Sequence, residues 1–226
     1  MLRKVLATLG LASATFATGA PPYSPYSLAG SNAIYNLLFC DDVAAFIAKP
    51  GEKPTSWQAA LASSPSDITA LQTMAADRSE EGRIRFLAYQ RLRQAGHTVP
   101  TKELLGVIVE VPLDGGLDTL AAYSEGSVRY INQTGKIAVF EGVASIKPLV
   151  DGLFAASQSI VGKIGPWKGT RRAPPARGNI RLTFLVSDGL YFGEGPFSVM
   201  QREQMAAPVI HKATELLQVV VAMGTK

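Results

Sequence analysis

A run of basic residues unbroken by acid is the leading chemical feature of the chain. Lys163, Lys168, Arg171, Arg172, Arg177 and Arg181 fall between Asp151 and Asp188, with no carboxylate among them. Trp167 sits in the same stretch, which is rich in Gly and Pro. A guanidinium binds phosphate or carboxylate through a planar fork of donors, and an aromatic face adds stacking. Trp167, Lys168, Arg171, Arg172 and Arg177 are therefore candidate ligand-binding residues. A solvated loop in a mildly basic protein explains the same composition, and loops of this length are often either functional or disordered.

The second candidate is a glycine-bearing segment, Gly189-Leu-Tyr-Phe-Gly193-Glu-Gly195-Pro-Phe-Ser198. Backbone N–H groups where a glycine loop opens a helix can cradle an anion. Gly193, Gly195 and Ser198 join the candidate ligand-binding set on that ground. The dinucleotide pattern wants a third glycine where Ser198 stands, and it belongs to a βαβ unit, whereas the strand here reads as part of a hairpin. No P-loop Lys-Ser/Thr pair is present.

No catalytic residue is assigned. Cys40 lies in Leu-Phe-Cys-Asp-Asp. The neighbouring carboxylates disfavour its thiolate, so a small core residue on a helix is the expected role. Only two histidines occur. His97 follows a helix stop. His211 precedes Glu215 by four residues, a spacing that permits a contact on one helix face. Two isolated histidines make no zinc site. Asp114 and Asp118 flank Gly115-Gly116 and could approach a hard cation, but turn chemistry accounts for them. No metal site and no cofactor are expected.

The elements that must carry these residues follow from periodicity. Residues 21–30 are Pro/Ser/Tyr-rich and read as an extended linker. A wide apolar stripe predicts a helix over Ser31–Lys49. A short helix is expected over Ser56–Ala62. Another begins with Ser64 as N-cap, Pro65 at the first helical position and Asp67 in the first turn. A further helix spans about Ser79–Ala95, with Ile84, Leu87, Ala88 and Leu92 inward. In this stretch Asp77, Glu81, Arg83, Ala88, Leu92 and Gly96 resemble one helix of a HEAT-like repeat. The likeness covers one helix and finds no second copy, so it implies no solenoid and no function.

From Leu104 the period changes. Leu-Leu-Gly-Val-Ile-Val-Glu-Val is short, apolar and β-branched, the pattern of a central strand. Strands follow at Leu117–Tyr123, Val128–Ile131 and Ile137–Phe140, separated by turns too short for helical crossovers, hence antiparallel. A helix over Ile146–Ile164, a hairpin of Ile180–Val186 with Leu190–Phe192, and a helix over about Pro208–Met223 complete the chain. The expected class is α+β: a helical N-terminal part, then an antiparallel sheet, meander plus C-terminal hairpin, packed against two or more helices. The order of parts is similar to that of profilin-like and PAS-like sheets, a likeness that bears on fold alone.

The chain has 226 residues, 47% of them hydrophobic and 18% charged, with one cysteine and a formal charge of +4. This suffices for a core without disulfides and does not suit a disordered chain. The expected division is a leader and linker over 1–30, a helical subdomain over 31–100 and the sheet with its helices over 101–226. Arg3 and Lys4 before an uncharged stretch to Ala20 have the layout of a signal peptide, although Pro21 is awkward for cleavage and a start placed too far upstream is the alternative. The location is periplasmic or secreted if the leader is cleaved, otherwise cytoplasmic. No membrane span is expected in the mature chain, and nucleic acid is not the expected partner.

These observations lead to two expectations. The first is a non-enzymatic interaction or regulatory protein that works with a protein partner or as a homodimer. The alternative is a small anionic-ligand-binding protein or enzyme that uses the Arg-rich loop and the Gly193–Ser198 turn.

Overall fold

The computed structural model describes residues 22–224; the leader expected over residues 1–20 lies outside them. The described chain is α+β. Helices α1 (Ala29–Leu37), α2 (Ser56–Ala62), α3 (Ile68–Ala76) and α4 (Gly82–Gln94) come first. Strands β1 (Leu104–Leu113), β2 (Gly116–Tyr123), β3 (Val128–Ile131) and β4 (Ile137–Phe140) follow, then α5 (Lys147–Lys163), β5 (Asn179–Val186), β6 (Gly189–Pro196), α6 (Phe197–Met200) and α7 (Ala206–Gly224). The six strands form one antiparallel sheet in the order β4-β3-β2-β1-β5-β6.

Strand β1 is central, and residues Leu104–Glu110 are all buried. Its side chains alternate between faces, so an unbroken apolar run requires cover on both. Val107 and Val109, with Leu120, Leu182, Phe184 and Tyr191, pack against Val150, Leu153 and Val161 of α5 and Val209, Ala213, Leu216 and Val220 of α7. Leu105 and Ile108, with Ala121, Tyr123 and Leu185, pack against Tyr35, Phe39, Leu71, Phe86 and Leu87 of the N-terminal layer. The sequence reading expected two or more helices against the sheet and did not assign them to a face. The chain places them on both.

Pro112 lies in β1 beyond Glu110↔Arg181, the last pair with β5, so its missing N–H costs that neighbour no ladder bond. Gly116 closes the β1–β2 hairpin at φ +146°, and a Cβ there would lie 2.2 Å from the carbonyl oxygen of Gln133.

Local differences from the sequence reading have local causes. The long first helix stops at Leu37. Cys40 adopts a left-handed backbone, φ 52°, and is buried just past the helix end. A 3-10 turn then spans Val43–Phe46, capped by Asp42. Asp67, not Ser64, caps α3, accepting from the Ala70 N–H at 3.0 Å. The last helix, α7, is long and apolar enough by length and composition to cross a membrane, a length the sequence reading did not find. It nevertheless buries Val209, Ile210, Ala213, Leu216 and Val220 in the core of one sheet face.

Candidate ligand cleft

Helix α4 has a second face beside its core stripe. Phe86, Gln90, Arg93 and Gln94 recur at helical spacing and line a cleft of about 370 Å³. The opposite wall is the start of the Arg-rich loop, Pro166–Arg171, and the end wall is the β5–β6 turn at Asp188–Leu190. Asp41 lies in the lining as well.

The loop is pinned at two points. Trp167 donates its backbone N–H to the Leu190 carbonyl at 2.7 Å and its indole N–H to the Thr170 carbonyl at 3.0 Å. Its ring stands edge-on to Phe192, centroids 5.1 Å apart. Arg172 is exposed and places its guanidinium over both rings, at 5.2 and 5.7 Å. The second pin is Arg171, buried at 7% exposure. Its Nε donates to Asp41 Oδ2 at 2.7 Å and its Nη2 to Asn36 Oδ1 at 2.8 Å. The guanidinium also lies 4.2 Å from the ring centre of Phe39 and 4.9 Å from that of Tyr23.

Beneath this anchor lies a buried carboxylate that the sequence reading did not single out. Glu110 of β1 points into the N-terminal layer and is fully buried. Tyr35 donates its hydroxyl to Oε1 at 2.6 Å. Arg181 of β5 stands 3.7 Å from Oε2 but is bound more closely by Glu194, at 2.6 Å. Burial pushes the Glu110 carboxyl above its ordinary value, and Arg181 and Tyr35 only partly offset this. Burial raises Asp41 in the same way, against the pull of Arg171.

The candidate residues divide by place. Trp167, Lys168 and Arg171 line the cleft, and Arg172 sits on the far side of Trp167. Arg177 is exposed and pairs with Asp114, away from the cleft. Gly193 and Gly195 lie within β6, not in a loop that opens a helix, opposite Leu182 and Ile180. Paired positions share a face, so both glycines fall on the α5/α7 side, whereas Trp167 stacks on Phe192 on the other. Ser198 belongs to α6, a helix of 4 residues. The Gly193–Ser198 segment and the Arg-rich loop therefore do not border one cleft.

Other expectations resolve simply. Asp118 accepts from the Gln133 N–H at 2.7 Å and from the Tyr130 hydroxyl at 3.0 Å, which is turn and sheet chemistry. His97 is exposed. His211 Nε2 lies 2.9 Å from Glu215, which Lys212 also binds. Among the described residues no group of three or more His, Cys, Asp or Glu is placed to hold a metal ion.

The sequence carried signals for part of what was missed. Glu110 is the lone charge inside an apolar central strand, and such a residue requires a buried partner. Gln90 and Arg93 fall off the core stripe of α4 at regular spacing. Nothing local to Asp41 indicates that it answers Arg171. Compared with family models, with curated proteins and with solved structures, the chain matches none of them.

Proposed function

We propose that the chain is a non-enzymatic binding protein whose α4–loop cleft takes a small anionic ligand. One observation carries this reading. Arg93, Lys168 and Arg171 line one cleft with Trp167, beside Asp41 and Asp188, and among the described residues only Arg171 of the three cations has a carboxylate within ion-pair distance. Arg93 donates to the Ser187 carbonyl and lies over the Phe86 ring, and Asp188 on the cleft's end wall acts on its charge from beyond ion-pair distance. Such cations with an aromatic wall attract a carboxylate or phosphate attached to a flat apolar body.

The test is a thermal-shift screen with small carboxylates, sulfates and phosphates. Several should raise the melting temperature in a salt-sensitive way, and Arg93→Ala with Lys168→Ala should remove the shift. A wild-type protein indifferent to every such anion would overturn the reading.

A protein partner is the second reading, favoured by the edge strand β4. Ile137 and Val139 are 40% and 53% exposed there, and an edge strand can pair with another chain. Light scattering at micromolar concentration separates the two: a dimer lost on Val139→Lys supports it, and a monomer at all concentrations counts against a homodimer.

A further inference from the structure

The two edges of the sheet differ. Edge strand β6 is tied to the Arg-rich loop, because Trp167 donates its backbone N–H to the Leu190 carbonyl. Edge strand β4 has no such neighbour among the described residues. The turn before β4 decides which of its groups are left over. Asn132 donates its N–H to the Lys136 carbonyl. Antiparallel pairs alternate between bonded and non-bonded, so Tyr130↔Ala138 is the next pair to exchange bonds. Ile137 and Val139 therefore aim their N–H and C=O groups away from β3, toward the open side.

The side chains make the same edge apolar. Ile137 and Val139 pair with Ile131 and Arg129 and share the face of the N-terminal layer. Leu28, 54% exposed, stands at the β3–β4 turn, 3.5 Å from where a Cβ on Gly135 would lie. On the opposite face the end of α7 reaches the strand: a Cβ on Gly224 would lie 3.8 Å from that of Ala138, and Met223 beside it is exposed. Four of the eight large exposed hydrophobic residues, Leu28, Ile137, Val139 and Met223, thus gather around one strand. Apolar surface gathered in one place marks an interaction site, whereas single scattered residues do not. Edges that stay unpaired are guarded by charge, proline or a bulge. Strand β4 is Ile-Ala-Val-Phe in regular register with β3 and carries none of these.

The occupant this edge fits is a second copy of the chain. Exposed Lys136 precedes the strand and exposed Glu141 follows it. An antiparallel copy sets each lysine beside the other's glutamate, whereas a parallel one would set like charge on like. A two-fold axis normal to the sheet generates the antiparallel pairing, and it keeps every residue on its own face. Centred on Ala138, the axis puts Ile137 opposite Val139 of the second copy and Val139 opposite its Ile137. These are the residues whose backbone groups point outward, so each such pair can exchange both bonds. Centred instead on Ile137 or Val139, it would set Val139 against Gly135 or Ile137 against Glu141. We infer that the chain forms a two-fold homodimer through β4, the two sheets joined edge to edge about Ala138. The inference rests on the protein-partner reading and gives it one geometry.

Cross-linking tests it. At the axis the two Ala138 Cα atoms form a non-hydrogen-bonded pair about 4.5 Å apart, within reach of a disulfide. The two copies of Ile137 are offset by two residues, about 7 Å along the strand before the gap between strands is added, and so are the two of Val139. The native Cys40 is buried. Under mild oxidation Ala138→Cys should form a covalent dimer at least about tenfold faster than Ile137→Cys or Val139→Cys, whose spacing exceeds the disulfide range. The wild type gives a second measurement. The amides of Ile137 and Val139 should exchange slowly with deuterium at concentrations where light scattering finds a dimer, and fast after dilution to monomer. A dimer that cross-links fastest at position 137 or 139, or whose amides there exchange as in the monomer, would overturn the inference and leave a homodimer of other geometry standing. A monomer at all concentrations would remove both.

Discussion

Arg171 and Asp41, 130 residues apart in the chain, meet at 2.7 Å inside the N-terminal layer. The contact ties the Arg-rich loop after α5 to the segment after α1, across the edge of the sheet. It turns a stretch whose composition suits a mobile loop into one wall of a cleft. The Tyr23 hydroxyl strengthens the tie by donating to the Arg171 carbonyl at 2.8 Å.

Arg171→Ala is therefore expected to act on stability as well as on binding. It leaves Asp41 half-buried without its guanidinium and takes the cation from between Phe39 and Tyr23. Breaking one side of a buried pair costs on the order of 3 kcal/mol. Urea unfolding should show an unfolding free energy lower by that amount, and limited proteolysis should cut first within residues 165–178. Arg171→Lys should recover little, because a single ammonium cannot address Asp41 and Asn36 from one plane. An unfolding free energy within about 0.5 kcal/mol of the wild type, the range of an ordinary surface change, would show that the loop is not held this way.

Gly82 tests how closely α4 sits on the sheet. A Cβ at this position would lie 2.3 Å from the Leu105 carbonyl oxygen and 3.0 Å from Ser124 Oγ. The obstacle on the first count is backbone, which cannot rotate aside. Gly82→Ala is expected to cost about 1–3 kcal/mol, the usual penalty for overpacking, despite the better helix propensity of alanine. Equilibrium unfolding measures it. A more stable variant would mean that α4 does not approach β1 as described.

Much of the fold was legible because its signals are local. Strand β1 announces itself by an apolar β-branched run, and the short turns after Leu113, Tyr123 and Ile131 force antiparallel neighbours. Helices α4, α5 and α7 show through their stripes. Which face each helix covers was not legible, since that depends on contacts distant in sequence. The cleft was half legible. Trp167, Lys168 and Arg171 stood out by composition, whereas Gln90, Arg93 and Asp41 became partners only when α4 and the post-α1 segment folded onto the loop. Gly193 and Gly195 were read as part of a glycine loop that opens a helix; they lie within edge strand β6, where Gly195 allows the close approach of Met200, whose Sδ would lie 3.3 Å from a Cβ on that residue.

Glu110 makes the stability of the chain depend on pH in a direction opposite to that of an ordinary paired carboxylate. Its folded-state proton affinity lies above the ordinary value of 4.5, chiefly through burial, with Arg181 drawn away toward Glu194. A group with a raised folded value binds more protons in the native state than in the unfolded one, so its contribution falls as pH rises. The change begins near 4.5, where the unfolded chain starts to ionise, and ends once the native carboxyl has ionised too. Glu110→Gln keeps the shape and an acceptor for Tyr35, and Glu194 still binds Arg181. The difference in unfolding free energy between wild type and this variant, followed by urea titration from pH 4 to pH 8, should move against the wild type as pH increases. A difference that moves the other way would show that Arg181 and Tyr35 outweigh burial, and that Glu110 is held as a stabilised anion.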